Sequence, residues 1–338
     1  MFLAYVLLTA LRCVGFSGAP LGSAKQVMAG DFEQRTLQRT VTVEGMGLHS
    51  GASVTLRLVP APTNSGLAFV RVDLPNRPVI AVRSENVVDT SLATTLGVGG
   101  VKVATVEHVL AAIVGLGIDN LRIEIDGPEV PIVDGSAEPF VRAMVEAGTR
   151  RQGEGRRFLV MRKSVTVTDG DKVATLAPSR SLKIDCTIDF KHPLISDQRA
   201  TLELKDATHF LREIARARTF GFLRDVDRLR AMGLARGGSI ENAVVIDDFS
   251  ILNPEGLRYP DEFARHKLLD TLGDIATLGA PVLGALTAHK TGHALNQKLV
   301  AKVLADASSY EFVTARLRSD AAGQLELDEV PAFAPSAA

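Results

Sequence analysis

The chain of 338 residues is long enough for two domains with separate cores, and at 46% hydrophobic and 23% charged residues it has the composition of a soluble globular protein. Its 38 basic residues are offset by 39 acidic ones, so no global field draws it to nucleic acid or an anionic membrane, and an anionic ligand must meet a local cluster. Two cysteines, Cys13 and Cys186, are too few for a disulfide framework or a cysteine-rich zinc site; a reducing compartment is the default, and any metal must be held by His, Asp and Glu.

Residues 1–31 do not match the rest. Met1 to Leu11 is apolar, lacks the leading positive charge of a secretory signal, and is shorter than a membrane span. Of a weak signal, a disordered extension and a stretch upstream of a true start at Met28, the last two are favoured, and these residues are left out of the fold.

From Arg35 the pattern turns to strands. Arg39–Glu44 and Ser53–Val59 alternate apolar and polar residues across a glycine-rich loop, and Leu67–Val72 and Val79–Val82 follow. A helix is predicted from Thr105, with Thr105 as its N-cap and a stop at Gly115 to Gly117, then a strand at Asn120–Ile125 and a helix at Ala137–Ala147. The polar, glycine-punctuated stretch Gly148–Arg157 reads as a linker. Strands then return at Phe158–Val167, Lys172–Ala177 and Leu182–Phe190. A short helix at Ala207–Ala215, an apolar-faced helix at Leu223–Met232 and a strand at Ala243–Ile246 come next. An amphipathic helix follows at Phe263–Asp274, its apolar stripe made by Phe263, Leu268, Leu269, Leu272 and Ile275. The strand Val282–Leu286 and a helix from His293 to Ala305 complete the second half. Each half thus gives strands, a helix bearing a histidine, a strand and a closing helix. The expected architecture is α+β: two similar domains, 32–152 and 153–310, meeting so that the helices of His108 and His266 face each other, with a loosely held tail at 311–338.

Within Phe263–Asp274, His266 and Asp270 lie four residues apart and stack on one helical face, where an imidazole and a carboxylate can both reach one metal ion. Asp274 continues that face. A surface His–Asp hydrogen bond is the alternative, and spacing alone leaves it open. His108 follows Glu107 at a helix start, and because neighbouring residues point differently the pair can divide labour, one binding a metal and the other facing its water. Otherwise His108 is simply a polar residue at a helix start. His108, His266 and Asp270 together form a two-histidine, one-carboxylate set that suits catalytic zinc, although iron can take the same ligands. His293 opens a helix, where an imidazolium is disfavoured, so a role as general acid requires a supporting carboxylate, and Asp274 is the candidate. A capping or hinge histidine is the alternative. No phosphate-binding loop, serine-nucleophile elbow or H-E-x-x-H motif occurs.

Seven ordered blocks carry a resemblance: G-M-G-L-H-S-G (45–51), T-V-E-H-V-L-A-A (105–112), G-L-G-I-D-N (115–120), P-I-V-D-G-S-A-E-P-F (131–140), A-R-T-F-G-F (217–222), R-H-K-L-L-D-T-L-G-D (265–274) and G-H-A-L-N (292–296). From about Gln34 to Ala305 the chain resembles UDP-3-O-acyl-N-acetylglucosamine deacetylase, the zinc amidase of the committed step of lipid A synthesis in Gram-negative bacteria. The resemblance implies two α+β domains, each a sheet packed with two helices, with the active site in the cleft between them. It implies one zinc on His108, His266 and Asp270, Glu107 as general base, and His293 as general acid or oxyanion-stabilising cation oriented by Asp274. Thr219 would hydrogen-bond the tetrahedral intermediate, Lys267 would face the substrate's polar groups near the zinc, and His49 would bind substrate further out, near the hexosamine or the acyl-chain entrance. An insert near 220–242 would build the acyl passage, lined by Phe220, Phe222, Leu223 and Val226, residues that periodicity alone reads as core. Arg224 and Arg228 meet either the pyrophosphate or solvent. A nucleotide-sugar substrate implies the cytoplasm; separately, the chain is expected to be a monomer whose partner is that acylated nucleotide sugar, with no nucleic-acid partner and no stable membrane insertion.

Overall fold

The computed structural model describes residues 32–319 and 325–329; the expected extension 1–31 and the end of the tail lie outside them. The first half is built on a five-stranded sheet, ordered Val41–Met46, Ser53–Pro60, Leu121–Ile125, Leu67–Arg71 and Val79–Ala81. Ser53–Pro60 shows why it is half-buried: Val54, Leu56 and Leu58 point into the core while Ser53 and Arg57 face out. Helices α1 (Glu107–Gly115) and α2 (Glu138–Ala147) belong to this half. The second half has a seven-stranded sheet organised around Val282–His289, which runs antiparallel to Lys172–Pro178 and parallel to Arg157–Met161 and Lys183–Ile188. Its helices are α3 (Ala207–Phe210, continued by a π-helical turn at Leu211–Ala215), α4 (Leu223–Ala231), α5 (Glu262–Ile275) and α6 (His293–Ala305). No helix among the described residues is long and apolar enough to cross a membrane.

The two halves meet through α1 and α5. Every residue of α1 except Val114 is buried, and α5 buries its apolar stripe together with its polar face. That face is covered because α1 lies directly on it. At the contact, a Cβ added to Gly273 would sit 2.0 Å from the Glu107 carbonyl oxygen. Gly273→Ala is therefore expected to force the helices apart and destabilise the fold by about 1–3 kcal/mol, the usual range for overpacking. Urea unfolding measures this, and an unchanged midpoint would show that the contact yields freely.

Several predicted elements are corrected. Thr105 is not an N-cap: it lies at φ +57°, its hydroxyl donates to Glu129 Oε1 (3.2 Å), and α1 starts at Glu107 without a side-chain cap. The expected linker is ordered, because Thr149–Gly155 pairs antiparallel with Glu33–Leu37. Its polar composition reflects a largely exposed strand laid against the buried strand Glu33–Leu37, and that partner lies more than a hundred residues upstream. Phe158–Val167 is two strands broken at residues 162–164. Gln198–Glu203 and Tyr310–Thr314 are strands that the pattern did not announce, and the latter ties the start of the expected tail to Arg157–Met161. The expected apolar face of α4 buries none of its residues; Leu223 remains about half exposed.

Candidate active site

Helix α5 supplies His266, Lys267, Asp270 and Asp274, and the first turn of α1 supplies Glu107 and His108. The α1–α5 packing brings His108 Nε2 to 3.5 Å and His266 Nε2 to 3.3 Å from the same oxygen, Asp270 Oδ1. The two rings are nearly perpendicular, with centroids 4.9 Å apart. One ligand atom from each of the three residues lies within 4.8 Å of the others, and all three residues are buried. Asp270 Oδ1 is buried with no hydrogen-bond partner, whereas Oδ2 accepts from Lys267 Nζ at 2.6 Å. A buried carboxylate oxygen seldom goes unpaired, and this one is flanked by two imidazole nitrogens, so the donor set fits a divalent cation of the zinc type.

The electrostatics agree with that fit. Burial opposes the charged form of Asp270, yet His266, Lys267 and His108 hold its carboxyl well below the usual range. Burial above all pushes His266 down to about 3, leaving a neutral ring. Its Nδ1–H donates to the Ala217 carbonyl (3.0 Å), which turns the Nε2 lone pair toward the cluster. Burial also works against the charge of Lys267, but the pairing with Asp270 keeps it above the ordinary lysine value. Cys186 is buried outside this cluster, with its thiol pushed up to about 12 chiefly by burial.

Glu107 and His293 face each other beside the cluster, with Oε1 and Nε2 separated by 3.9 Å. Burial pushes the Glu107 carboxyl up despite the attraction of His293 and His108. A carboxylate with raised proton affinity in a dry site is suited to accepting a proton near neutral pH. On its far side, His293 Nδ1 lies 3.0 and 3.1 Å from the two oxygens of Asp274. Burial disfavours the imidazolium, but Asp274 and then Glu107 outweigh it and raise His293 to about 9. Asp274 also accepts from Asn296 Nδ2 (2.8 Å) and Thr94 Oγ1 (2.5 Å), while the Thr94 N–H donates to Glu107 Oε2 (3.0 Å).

The remaining predicted residues form a looser ring. Phe220 has its ring 6.3 Å from His266 and beneath the Lys267 ammonium, and it packs on Phe190 and Phe263. Phe222 stacks with Phe190 and His192 further out. Thr219 is half-buried and fixed through its backbone between Gly135 and Val244. Among the described residues, no hydrogen bond or ion pair joins His49 to the cluster. Its N–H donates to Glu129, its carbonyl accepts from Arg236, and its ring, kept neutral mainly by burial, lies beside Ala235. Arg224 and Arg228 are exposed, Arg224 lying over the Phe222 ring and Arg228 pairing with Asp225. Thr94, Asn296 and Glu129 were not predicted. Asn296 was within reach, since it falls three residues after His293 on the same helix face. Thr94, in T-S-L-A-T-T-L, carries no local signal.

A family model described as LpxC, UDP-3-O-acyl N-acetylglycosamine deacetylase, matches residues 34–305. A UDP-3-O-acyl-N-acetylglucosamine deacetylase of Myxococcus xanthus (strain DK1622) is 60% identical over 287 residues, which is 85% of this chain and 91% of that protein. One from Anaeromyxobacter sp. (strain Fw109-5) is 56% identical over 306 residues, 90% of this chain and 97% of that protein. One from Hahella chejuensis (strain KCTC 2396) is 49% identical over 285 residues, 84% and 94% respectively.

Proposed function

This chain belongs to the UDP-3-O-acyl-N-acetylglucosamine deacetylase family, and from that premise we propose how its own residues carry out the reaction. It is a hydrolase acting on an amide: it removes the N-acetyl group of UDP-3-O-acyl-N-acetylglucosamine, releasing acetate, as the deacetylation step of lipid A biosynthesis. The observation that carries the site assignment is the orphaned, buried Asp270 Oδ1 between His108 and His266.

Those three residues would hold zinc, which when bound lowers the pKa of water and polarises a carbonyl oxygen. Glu107 takes the proton from the attacking water. Its raised proton affinity and its place opposite His293 support this role. His293, charged through Asp274, stabilises the developing oxyanion and then gives its Nε2 proton to the departing amine. Thr219 donates to the same oxyanion. Lys267 steadies Asp270 through Oδ2 and offers its remaining donors to the sugar. Phe220 and Phe222 begin the acyl passage within the 220–242 insert, and His49 lines its outer rim. Domains at 32–152 and 153–310 are supported by the separate five- and seven-stranded sheets, with Thr149–Gly155 straddling the first limit and Tyr310–Thr314 carrying the second sheet past residue 310. A nucleotide-sugar substrate suits the cytoplasm, and the chain is taken to act as a monomer.

A non-catalytic nucleotide-sugar binder is the contrasting class, and the intact set Glu107, His108, His266, Asp270 and His293 argues against it. Purified protein is expected to hold about one zinc per chain. Acetate release from UDP-3-O-acyl-N-acetylglucosamine should stop on chelation and return with metal. Acetate release at full rate after stoichiometric metal removal would overturn the metal assignment.

A further inference from the structure

Thr94 is fully buried at the seam between the two halves, and two of its groups point at two different carboxylates. Its backbone N–H donates to Glu107 Oε2 at 3.0 Å, and its hydroxyl donates to Asp274 Oδ1 at 2.5 Å. Its carbonyl accepts from the N–H of Val106 (3.2 Å), so the same peptide is fastened to the start of α1. Glu107 and Asp274 stand on different helices, and Thr94 bonds to both. One residue therefore spans the proton acceptor on α1 and the carboxylate that orients His293 on α5.

We propose that Thr94 is a positioning residue that sets the separation between Glu107 and His293. The inference rests on the acid and base roles assigned above. Asp274 is a fully buried carboxylate that accepts from the side chains of His293, Asn296 and Thr94. Charge-assisted bonds from hydroxyl to carboxylate are short and directional, so the threonine fixes the carboxylate plane against which the imidazole aligns. Without the hydroxyl, Asp274 is free to rotate toward Asn296, and the His293 ring follows. The 3.9 Å gap from His293 Nε2 to Glu107 Oε1 then changes, although neither residue has been altered. Misplacement of a reacting group by about 1 Å is enough to cost on the order of 100-fold in rate.

The test is a set of variants of the metal-loaded enzyme, read by kcat, KM, metal content and melting temperature. Thr94→Val keeps the shape and removes the hydroxyl. It is expected to lower kcat about 30-fold with KM within about twofold and metal content unchanged. Thr94→Ser, which keeps the hydroxyl, should recover to within about threefold of the parent. In an Asp274→Ala background, which leaves no oxygen for the hydroxyl, Thr94→Val should add almost nothing, because its effect runs through the carboxylate already removed. If Thr94→Val does not fold, Thr94→Ala takes its place in the same cycle. Parental kcat in the valine variant, losses that multiply in the double variant, or a serine variant as impaired as the valine one would each overturn the proposal. Full activity of Asp274→Ala alone would instead bring down the acid–base reading on which it rests.

Discussion

Replacing Glu107 with glutamine is expected to lower kcat by about 1,000-fold while leaving the zinc content of the protein unchanged. The two effects separate because Glu107 and His108 are adjacent but point differently. His108 reaches Asp270 Oδ1, whereas Glu107 turns to Thr94 and His293. Glutamine keeps an oxygen to accept the Thr94 N–H, so that buried donor stays paired. What it lacks is a site for a proton, since an amide at neutral pH cannot take one from water. The change should therefore fall on kcat and not on KM. Glu107→Ala should lose turnover as well and also some stability, because it leaves the Thr94 N–H unpaired in a dry interior. Substantial turnover by the glutamine variant, with parental metal content, would remove Glu107 from the role of base.

The sequence made one half of this centre legible on physical grounds. His266 and Asp270 are separated by one helical turn, so any helix over Phe263–Asp274 puts both on one face, and the structure has them 3.3 Å apart. That face also had to be buried by something, and nothing local says by what. The answer is α1, whose approach depends on Gly273 having no side chain. Joining Glu107 and His108 to the site therefore required tertiary information, which reached the sequence reading only through the family motifs. Thr105 shows the same limit. Threonine before an apolar run is a good capping signal, but here the hydroxyl is used by Glu129, which also accepts from His49 and Ser50. A non-local partner won over the local rule. Thr149–Gly155 failed for a related reason: a strand that pairs with the distant Glu33–Leu37 and leaves most of its own residues exposed needs no apolar face, so composition cannot tell it from a linker.

Asp274→Asn is the complementary experiment, and its signature lies in pH. In the metal-free protein His293 is raised to about 9, against an ordinary value of 6.5, by Asp274 first among the groups that oppose its burial. A histidine raised in this way stabilises the fold fully below 6.5, and that contribution is lost as the pH climbs through about 9. The melting temperature of the metal-free protein should accordingly decline between these limits, and it should decline less in the asparagine variant, where burial is no longer outweighed to the same degree. Activity follows the same proton. If His293 must be charged to protonate the departing amine, the parent loses rate on the alkaline side, and a bound cation, by repelling the imidazolium, brings that limb in below the metal-free value. Asp274→Asn moves it further toward acid and lowers kcat at neutral pH by about 100-fold. An asparagine variant with an unshifted alkaline limb would mean that His293 is not the group that titrates. The acid would then have to be sought elsewhere among the donors around the cluster, with Lys267, 2.6 Å from Asp270, as the first to examine.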